Sequence, residues 1–214
     1  MNITTVQRLV ARGEGQRVEF KKKVNFPDKI IKEVVAFANS NGGKLILGID
    51  DDGTIAGTRN IEGEIFVLED AIEKLIMPSL TYTVHTVKLN PKKGIAVFDV
   101  PEGLKKPYGV KATMNAKEVM VYVRNADESI KASKEMRQIL RRRNNERDQR
   151  FNYGEKEQIL MKMLDASDFV SLEEFAIQAE IPKFIASKTL VKLVLANLLD
   201  IQPSAGADQY FIKK

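Results

Sequence analysis

The sequence predicts an α+β fold in two parts: a mixed sheet with flanking helices over residues 1–148, and then a small domain of three helices and a β-hairpin over residues 149–214. Three observations predict this organisation. Residues 17–22 alternate between apolar and polar side chains, which is typical of a half-buried strand. Pro27 opens a segment whose apolar residues have helical spacing. A separate helical pattern begins at Tyr153, directly after an arginine-rich stretch.

Glycines set the boundaries of the first elements. A short helix over residues 2–13 leads into a loop at Gly13 and Gly15, and the helix that Pro27 opens ends at Asn41-Gly42-Gly43, because glycine tolerates the left-handed backbone found there. The further elements predicted in this part are, in chain order, a buried strand at 45–49, a hairpin turn at Asp52-Gly53 from which 54–56 pairs back, a helix at 64–76, strands at 81–89 and 94–100, a loop at 101–117, a strand at 119–124, and a basic helix or linker from 129 to 150.

The last part has the element order of a winged helix-turn-helix domain. Ser171, followed three residues on by Glu174, forms a capping box, which predicts the start of the second of three helices. The three helices are expected at 156–164, 171–178 and 184–199, and strands at 201–203 and 209–212 then form the hairpin.

Composition restricts the classes of protein. The chain of 214 residues is 43% hydrophobic and 29% charged, as in ordinary globular proteins, and it has no cysteine, which excludes disulfides and thiolate-bound metals. No apolar run approaches the roughly 20 residues that span a bilayer, and no signal peptide is recognisable, so a cytoplasmic protein without membrane contact is expected. Gly42-Gly43-Lys44 lacks the spacing of a P-loop, and no ATP site is therefore expected.

The charge is unevenly distributed along the chain. The net charge is +5, yet residues 151–214 carry nine acidic residues against seven lysines. Between Arg137 and Arg150 there are six arginines, opposed only by Glu146 and Asp148. A polyanionic partner is therefore expected to contact the first part and the arginine-rich stretch.

Three segments of the first part combine unusual residues in a fixed order. They are EGQRVEFK at 14–21, VAFANSNGGKLILGIDDDGTIAG at 35–57, and YVRNADESIKAS at 122–133. Together they resemble the motifs of the Schlafen-type AlbA-like family, and the resemblance covers about residues 8–140. It implies a domain that binds nucleic acid, DNA in the first instance.

The resemblance also implies a ribonuclease site, because eukaryotic Schlafen relatives cleave RNA with two glutamates and an aspartate. Glu14, Glu19 and Asp50 stand at the matching positions, and Lys21 lies on the same strand face as Glu19. Three converging carboxylates can hold Mg²⁺ or Mn²⁺, and a lysine beside them would neutralise charge in the transition state.

The same side chains have a structural interpretation. Glu14 suits a loop, Glu19 and Lys21 suit a solvated strand face, and Asp50 and Asp52 suit a turn whose backbone they hydrogen-bond. Asp52 could also replace Asp50 as the third carboxylate. The structural interpretation is preferred. The function predicted first is that of a nucleic-acid-binding transcriptional regulator, with a metal-dependent ribonuclease and a non-catalytic protein-interaction adaptor as alternatives.

Basic residues in three regions are candidates for phosphate contacts. They are Lys21, Lys22, Lys23, Arg59, Lys105, Lys106 and Arg124 in the first part, Arg141, Arg142 and Arg143 in the arginine-rich stretch, and Lys183, Lys188 and Lys192 on the third helix of the last part. Ser187 and Thr189 on that helix could add base contacts. The family motif makes Arg124 either structural or phosphate-facing. The other residues could equally be solvated charges, and the last domain could form a homodimer instead of binding DNA.

Overall fold

The chain divides into two compact units, Met1–Lys131 and Ala132–Lys214. The computed structural model describes residues 1–143 and 153–213. Each unit contains helices, strands and its own hydrophobic core, which confirms the α+β class predicted from the sequence. The domain boundary predicted at 148/149 lies outside the described residues and stays a prediction. Among the described residues, no helix is both long and apolar enough to cross a membrane.

The first unit begins with a helix and a β-α-β arrangement. Helix α1 (Ile3–Val10) precedes β1 (Val18–Lys21), α2 (Pro27–Asn39) and β2 (Gly43–Leu47), and β1 and β2 pair in parallel. The end of α2 turns sharply at Gly42, where a side chain would collide with the Val100 carbonyl. Helix α2 is buried along most of its length, because the sheet and later elements cover different faces of it.

A central strand joins the rest of the main sheet. Strand β6 (Lys93–Val100) pairs antiparallel with β2, with β3 (Thr58–Arg59) and with β5 (Thr83–Asn90). The turn predicted at Asp52-Gly53 is confirmed, since the Asp50 amide donates to the Thr54 carbonyl. Residues 54–56 return from this turn as predicted, with the Gly57 amide donating to the Gly48 carbonyl, but they form no regular strand. Gly57, at a φ of 61°, redirects the chain, and pairing with β6 therefore starts at Thr58.

The first unit ends in short strands around a third helix. Asn60 caps α3 (Ile61–Leu75), and a small sheet joins β4 (Ile76–Met77), β7 (Gly109–Lys111) and β8 (Val119–Met120). Strands β9 (Tyr122–Asn125) and β10 (Glu128–Lys131) form a hairpin. The basic helix predicted from Ser129 onward begins only at Lys134, because Ala126 takes a positive φ of 51° and turns the chain back along β9 as β10.

The second unit contains four described helices and a three-stranded sheet. Its elements in chain order are α4 (Lys134–Arg143), α5 (Glu155–Ala166), β11 (Val170–Ser171), α6 (Leu172–Gln178), α7 (Lys183–Leu195), β12 (Leu199–Gln202) and β13 (Gln209–Ile212). The capping box at the start of α6 is confirmed, since Ser171 and Glu174 each bond the other's backbone amide. The winged-helix assignment of this unit stays a prediction.

Helix α4 packs within the second unit. Its apolar side chains Met136, Ile139 and Leu140 are buried, and Ile139 belongs to the same core as Phe175 and Leu190. Its first turn is fixed by polar contacts, because Ser133 donates to Asp208, and Ser187 of α7 donates to Glu135. The arginine-rich stretch of the sequence thus begins in a helix that is docked on α7.

Limited proteolysis tests this packing. We expect trypsin to cut first within residues 145–153, where the dense arginines end and a new helical pattern starts. The two fragments are expected to co-elute in size-exclusion chromatography, because α4 stays bound to the core formed by α5 to α7. Mass spectrometry identifies the cut. Fragments that separate freely, or stable fragments produced by cuts within 30–100, would contradict this arrangement.

Candidate nucleic-acid interface

A buried arginine organises the region around the predicted carboxylate site. The side chain of Arg124, on β9, has no exposed surface. Its Nη1 donates to Glu19 at 3.1 Å, to Glu33 at 2.7 Å and to Ser129 at 3.2 Å, and its Nη2 donates to the Gly15 carbonyl at 2.6 Å. We call these five residues the Arg124 cluster.

The cluster joins four separate stretches of the first unit. Gly15 lies in the loop before β1, Glu19 on β1, Glu33 on α2 and Ser129 on β10, opposite Arg124 itself. The guanidinium carbon also lies 4.9 Å from the centre of the ring of Phe37, a residue of α2. Arg124 is the cation that the two largely buried carboxylates share, so removing it would leave Glu33 with the Ser129 hydroxyl and Glu19 with Lys21, and the buried negative charge would be compensated less well.

The surroundings of Glu33 change its ionisation. Burial raises the pKa of Glu33, while its hydrogen bond from Ser129 acts in the opposite direction. A carboxyl group whose folded pKa is raised contributes most stability below its unfolded pKa, and the contribution is lost as the pH rises through the folded value. Because the pKa of Glu33 is raised, acidification protonates Glu33 earlier than an ordinary glutamate and weakens its ion pair with Arg124.

The structure gives each predicted catalytic carboxylate its own partner. Glu14 accepts a hydrogen bond from the Phe20 amide at 2.7 Å, which ties the loop to the middle of β1. Glu19 is engaged by Arg124 and by Lys21. Asp50 lies 3.0 Å from the ammonium group of Lys22. The structure thus shows these carboxylates in structural contacts, and their catalytic and metal-binding roles stay predictions.

A metal site formed by these carboxylates would need them to converge. In the part of the chain that the structure describes, no three His, Cys, Asp or Glu side chains form a group that could hold a metal ion. The expected solvated face is also absent at Glu19, which is only 7% exposed. Asp52 is a turn residue, accepting from the Thr54 amide at 2.8 Å, and this bond lowers its pKa.

The basic candidates of the first unit fall into two groups. Lys21 pairs with Glu19, Lys106 pairs with Glu102 at 2.6 Å, and Arg124 is buried, so these three already hold protein partners. The family motif predicted that Arg124 is either structural or phosphate-facing, and its burial supports the structural role. The remaining candidates are exposed at the surface: Lys22, which pairs with Asp50, and Lys23, Arg59 and Lys105.

The second unit presents its basic residues on α4 and α7. Five of the ten residues of α4 are basic, and all five are exposed: Lys134, Arg137, Arg141, Arg142 and Arg143. On α7, Lys183 and Lys188 are exposed, and Lys192 is half-buried. Ser187 and Thr189 are buried, because α4 and the core of the unit cover the α7 faces that carry them. Neither side chain is available for the base contacts that the sequence suggested.

Sequence reasoning missed Glu33 and Ser129. Glu33 lies on α2 among buried apolar residues, and a charge at such a position is a signal that a buried partner exists. Ser129 carries no signal, since its place beside Arg124 depends on the hairpin that the sequence did not predict.

A family model described as Schlafen, AlbA_2 matches residues 14–133, which contain the whole Arg124 cluster. The chain belongs to this family. No curated protein matches the chain.

Two solved structures are similar to this member of the Schlafen AlbA_2 family. The N-terminal domain of a RecG-related protein from Nitrosomonas europaea is 23% identical over 57% of this chain and 91% of that one, with a TM-score of 0.42. The DIP2311 protein from Corynebacterium diphtheriae is 22% identical over 65% of this chain and 28% of that one, with a TM-score of 0.43. Neither likeness is strong enough to carry an inference about what this chain binds.

Replacing the buried arginine tests the Arg124 cluster. Arg124→Met keeps the length of the side chain and removes its charge, and it should lower the free energy of unfolding by about 3–5 kcal/mol at neutral pH. The loss should be smaller at about pH 5, because Glu33 with its raised pKa then becomes protonated more readily. Urea-induced unfolding at both pH values measures the two losses.

The matched control is Arg59→Met, which removes an exposed arginine from the same unit. Surface substitutions of this kind usually change stability by less than about 0.5 kcal/mol. Equal losses in the two variants would show that the cluster does not hold the unit together. A loss for Arg124→Met that is independent of pH would show that the ionisation of Glu33 does not contribute to the stability of the cluster.

Proposed function

We propose that this protein binds nucleic acid through exposed basic side chains and acts without cleaving it. The observation that carries the proposal is α4, where every basic side chain of a ten-residue helix points to solvent while Met136, Ile139 and Leu140 anchor the helix. Polyanion binding is driven largely by release of counterions from phosphates, and this needs closely spaced cations on a firm surface. A docked helix with five exposed cations meets that need.

The first unit supports the same function by a different route. Membership of the Schlafen AlbA_2 family and the exposed side chains of Lys23, Arg59 and Lys105, together with Lys22 in its exposed pair with Asp50, are consistent with further phosphate contacts. In this proposal the protein is a cytoplasmic transcriptional regulator, and DNA is its partner in the cell. A homodimer through the second unit remains an expectation from the sequence.

Binding is proposed ahead of cleavage because of what Glu19 contacts. A carboxylate that bonds both Arg124 and Lys21 has its charge compensated within the fold. No contact in the described part of the chain favours a hydrolytic role for Glu14 or Asp50 over the structural contacts that they make. RNA cleavage by these residues therefore stays an alternative that the sequence raises.

A salt series tests the proposal. Binding to a labelled oligonucleotide, followed by fluorescence anisotropy, should weaken steeply as the salt concentration rises. Replacing Arg141, Arg142 and Arg143 with alanine should reduce the slope of log affinity against log salt by about 0.9 for each phosphate that the variant no longer neutralises. The expected reduction for the triple variant is about 1 to 3, together with weaker binding at low salt.

The control removes three exposed cations that do not belong to α4, by replacing Arg8, Lys162 and Lys213 with alanine. Its net charge equals that of the triple arginine variant, so a specific role of α4 predicts a much smaller change in slope. If the unaltered protein binds neither DNA nor RNA at low salt, the proposed function is wrong. If both variants show the same decrease in slope, α4 is not the binding surface.

A further inference from the structure

The second unit contains a groove between α4 and α7. Its volume is about 550 Å³, and residues of both helices line it. Lys134, Glu135, Gln138 and Arg142 contribute from α4, and Lys183, Phe184, Ser187, Lys188 and Val191 contribute from α7, with Leu172 at the start of α6. Positive charge and one aromatic ring therefore occupy the same concave surface.

The cations of the groove are available to a ligand. Within residues 1–143 and 153–213, no carboxylate lies within ion-pair distance of Lys134, Arg142 or Lys188. Lys183 pairs with Glu173 at 2.6 Å, but both side chains are more than half exposed, so a phosphate could compete for this lysine. The groove therefore has an excess of positive charge.

The carboxylate among the residues that line the groove is already engaged. Glu135 accepts the hydroxyl hydrogen of Ser187, which is itself buried beneath α4. This bond fixes the two helices side by side and directs one acidic oxygen into the contact between them. Of the charged residues that line the groove, Glu135 alone has a buried partner among the described residues. The four cations Lys134, Arg142, Lys183 and Lys188 have none.

Phe184 gives the groove a second kind of surface. It lies in the first turn of α7, one turn from Lys188, and its side chain is 68% exposed. The hydrophobic core of the unit does not include it. Proteins that bind single-stranded nucleic acids combine an exposed aromatic ring with nearby cations. An unpaired base stacks on the ring, and the phosphates of the backbone contact the cations.

We propose that the groove between α4 and α7 binds single-stranded nucleic acid, with a base stacked on Phe184 and the flanking phosphates at Lys134, Arg142 and Lys188. The proposal rests on the proposed function and adds the site and the class of ligand. In a duplex the bases stack on each other, so no base face is free to lie on the ring. Single strands are therefore favoured over duplexes at this site.

The burial of α7 points in the same direction. A helix that reads duplex DNA contacts base edges in the major groove with polar side chains, and Ser187 and Thr189 were the uncharged ones predicted on α7. Here Ser187 is only 8% exposed and hydrogen-bonded to α4, and Thr189 is only 5% exposed. What α7 does present is Phe184, Lys183 and Lys188, which contact stacked bases and phosphates without requiring a groove of fixed width.

The experiment compares single-stranded and duplex probes on the full chain. Fluorescence anisotropy is measured with labelled oligo-dT, oligo-U and a mixed-sequence duplex, each of about 15 nucleotides per strand, within the site sizes that single-strand grooves cover. Phe184→Ala should weaken binding of the single strands about tenfold and leave duplex binding nearly unchanged. Phe184→Trp should retain or strengthen single-strand binding, since a larger ring stacks at least as well. The oligo-dT and oligo-U arms show whether DNA or RNA is the better ligand.

A matched control and a charge variant complete the design. Phe169→Ala removes another exposed phenylalanine of the same unit that does not line the groove, and it should change no affinity. Replacing Arg142 and Lys188 with alanine should weaken single-strand binding and lower its salt slope by about 0.7 for each phosphate that is no longer neutralised. Both substitutions are at exposed positions, and circular dichroism confirms that the variants are folded.

The possible outcomes separate the two proposals. If the unaltered chain binds nucleic acid but Phe184→Ala binds single strands as tightly as before, the groove proposal is overturned while the proposed function stands. Equal weakening on single strands and duplex overturns base stacking at Phe184. If the unaltered chain binds none of the three probes, the proposed function itself fails.

Discussion

The ion pairs of Arg124 are the interaction on which the first unit depends. A guanidinium without exposed surface must be neutralised inside the protein, and Glu19 and Glu33 supply the charge from β1 and α2. The same guanidinium bonds the Gly15 carbonyl, and its β10 neighbour Ser129 closes the cluster. The guanidinium therefore connects β1, α2, the loop before β1 and the hairpin of β9 and β10. Glu19 is consequently committed to the fold, which favours a binding role for the unit over a catalytic one.

Local patterns predicted the elements well and the partners of charged residues poorly. The period of two identified β1, and the capping box identified the start of α6. The same alternation placed Glu19 on a solvated face, because the pattern alone cannot show that an arginine 105 residues later compensates a buried carboxylate. The hairpin of β9 and β10 was missed for a related reason. Its turn uses Ala126 at positive φ, where the sequence has none of the glycine or asparagine that normally indicates such a turn.

The position of α4 changes the interpretation of the second unit. From the sequence, 151–214 is acidic, and the arginine-rich stretch belongs to the part before it. The spacing of Met136, Ile139 and Leu140 shows that α4 has an apolar face, but no sequence pattern tells which core that face joins. Once α4 is docked on α7, the unit gains five exposed cations and loses Ser187 from its surface. Phe184 then becomes a ring in a basic groove, whereas a lone phenylalanine in a helical pattern normally indicates the core.

The proposed contacts with nucleic acid lie on α4 and α7. Photo-crosslinking tests them most directly: a single-stranded oligonucleotide substituted with iodouracil is bound, irradiated and digested, and the adducts are located by mass spectrometry. We expect adducts on peptides from Lys134–Arg143 and Lys183–Leu195, with Phe184 among the modified residues. Adducts confined to Met1–Lys131, with the peptides of α4 and α7 unmodified, would contradict the proposal.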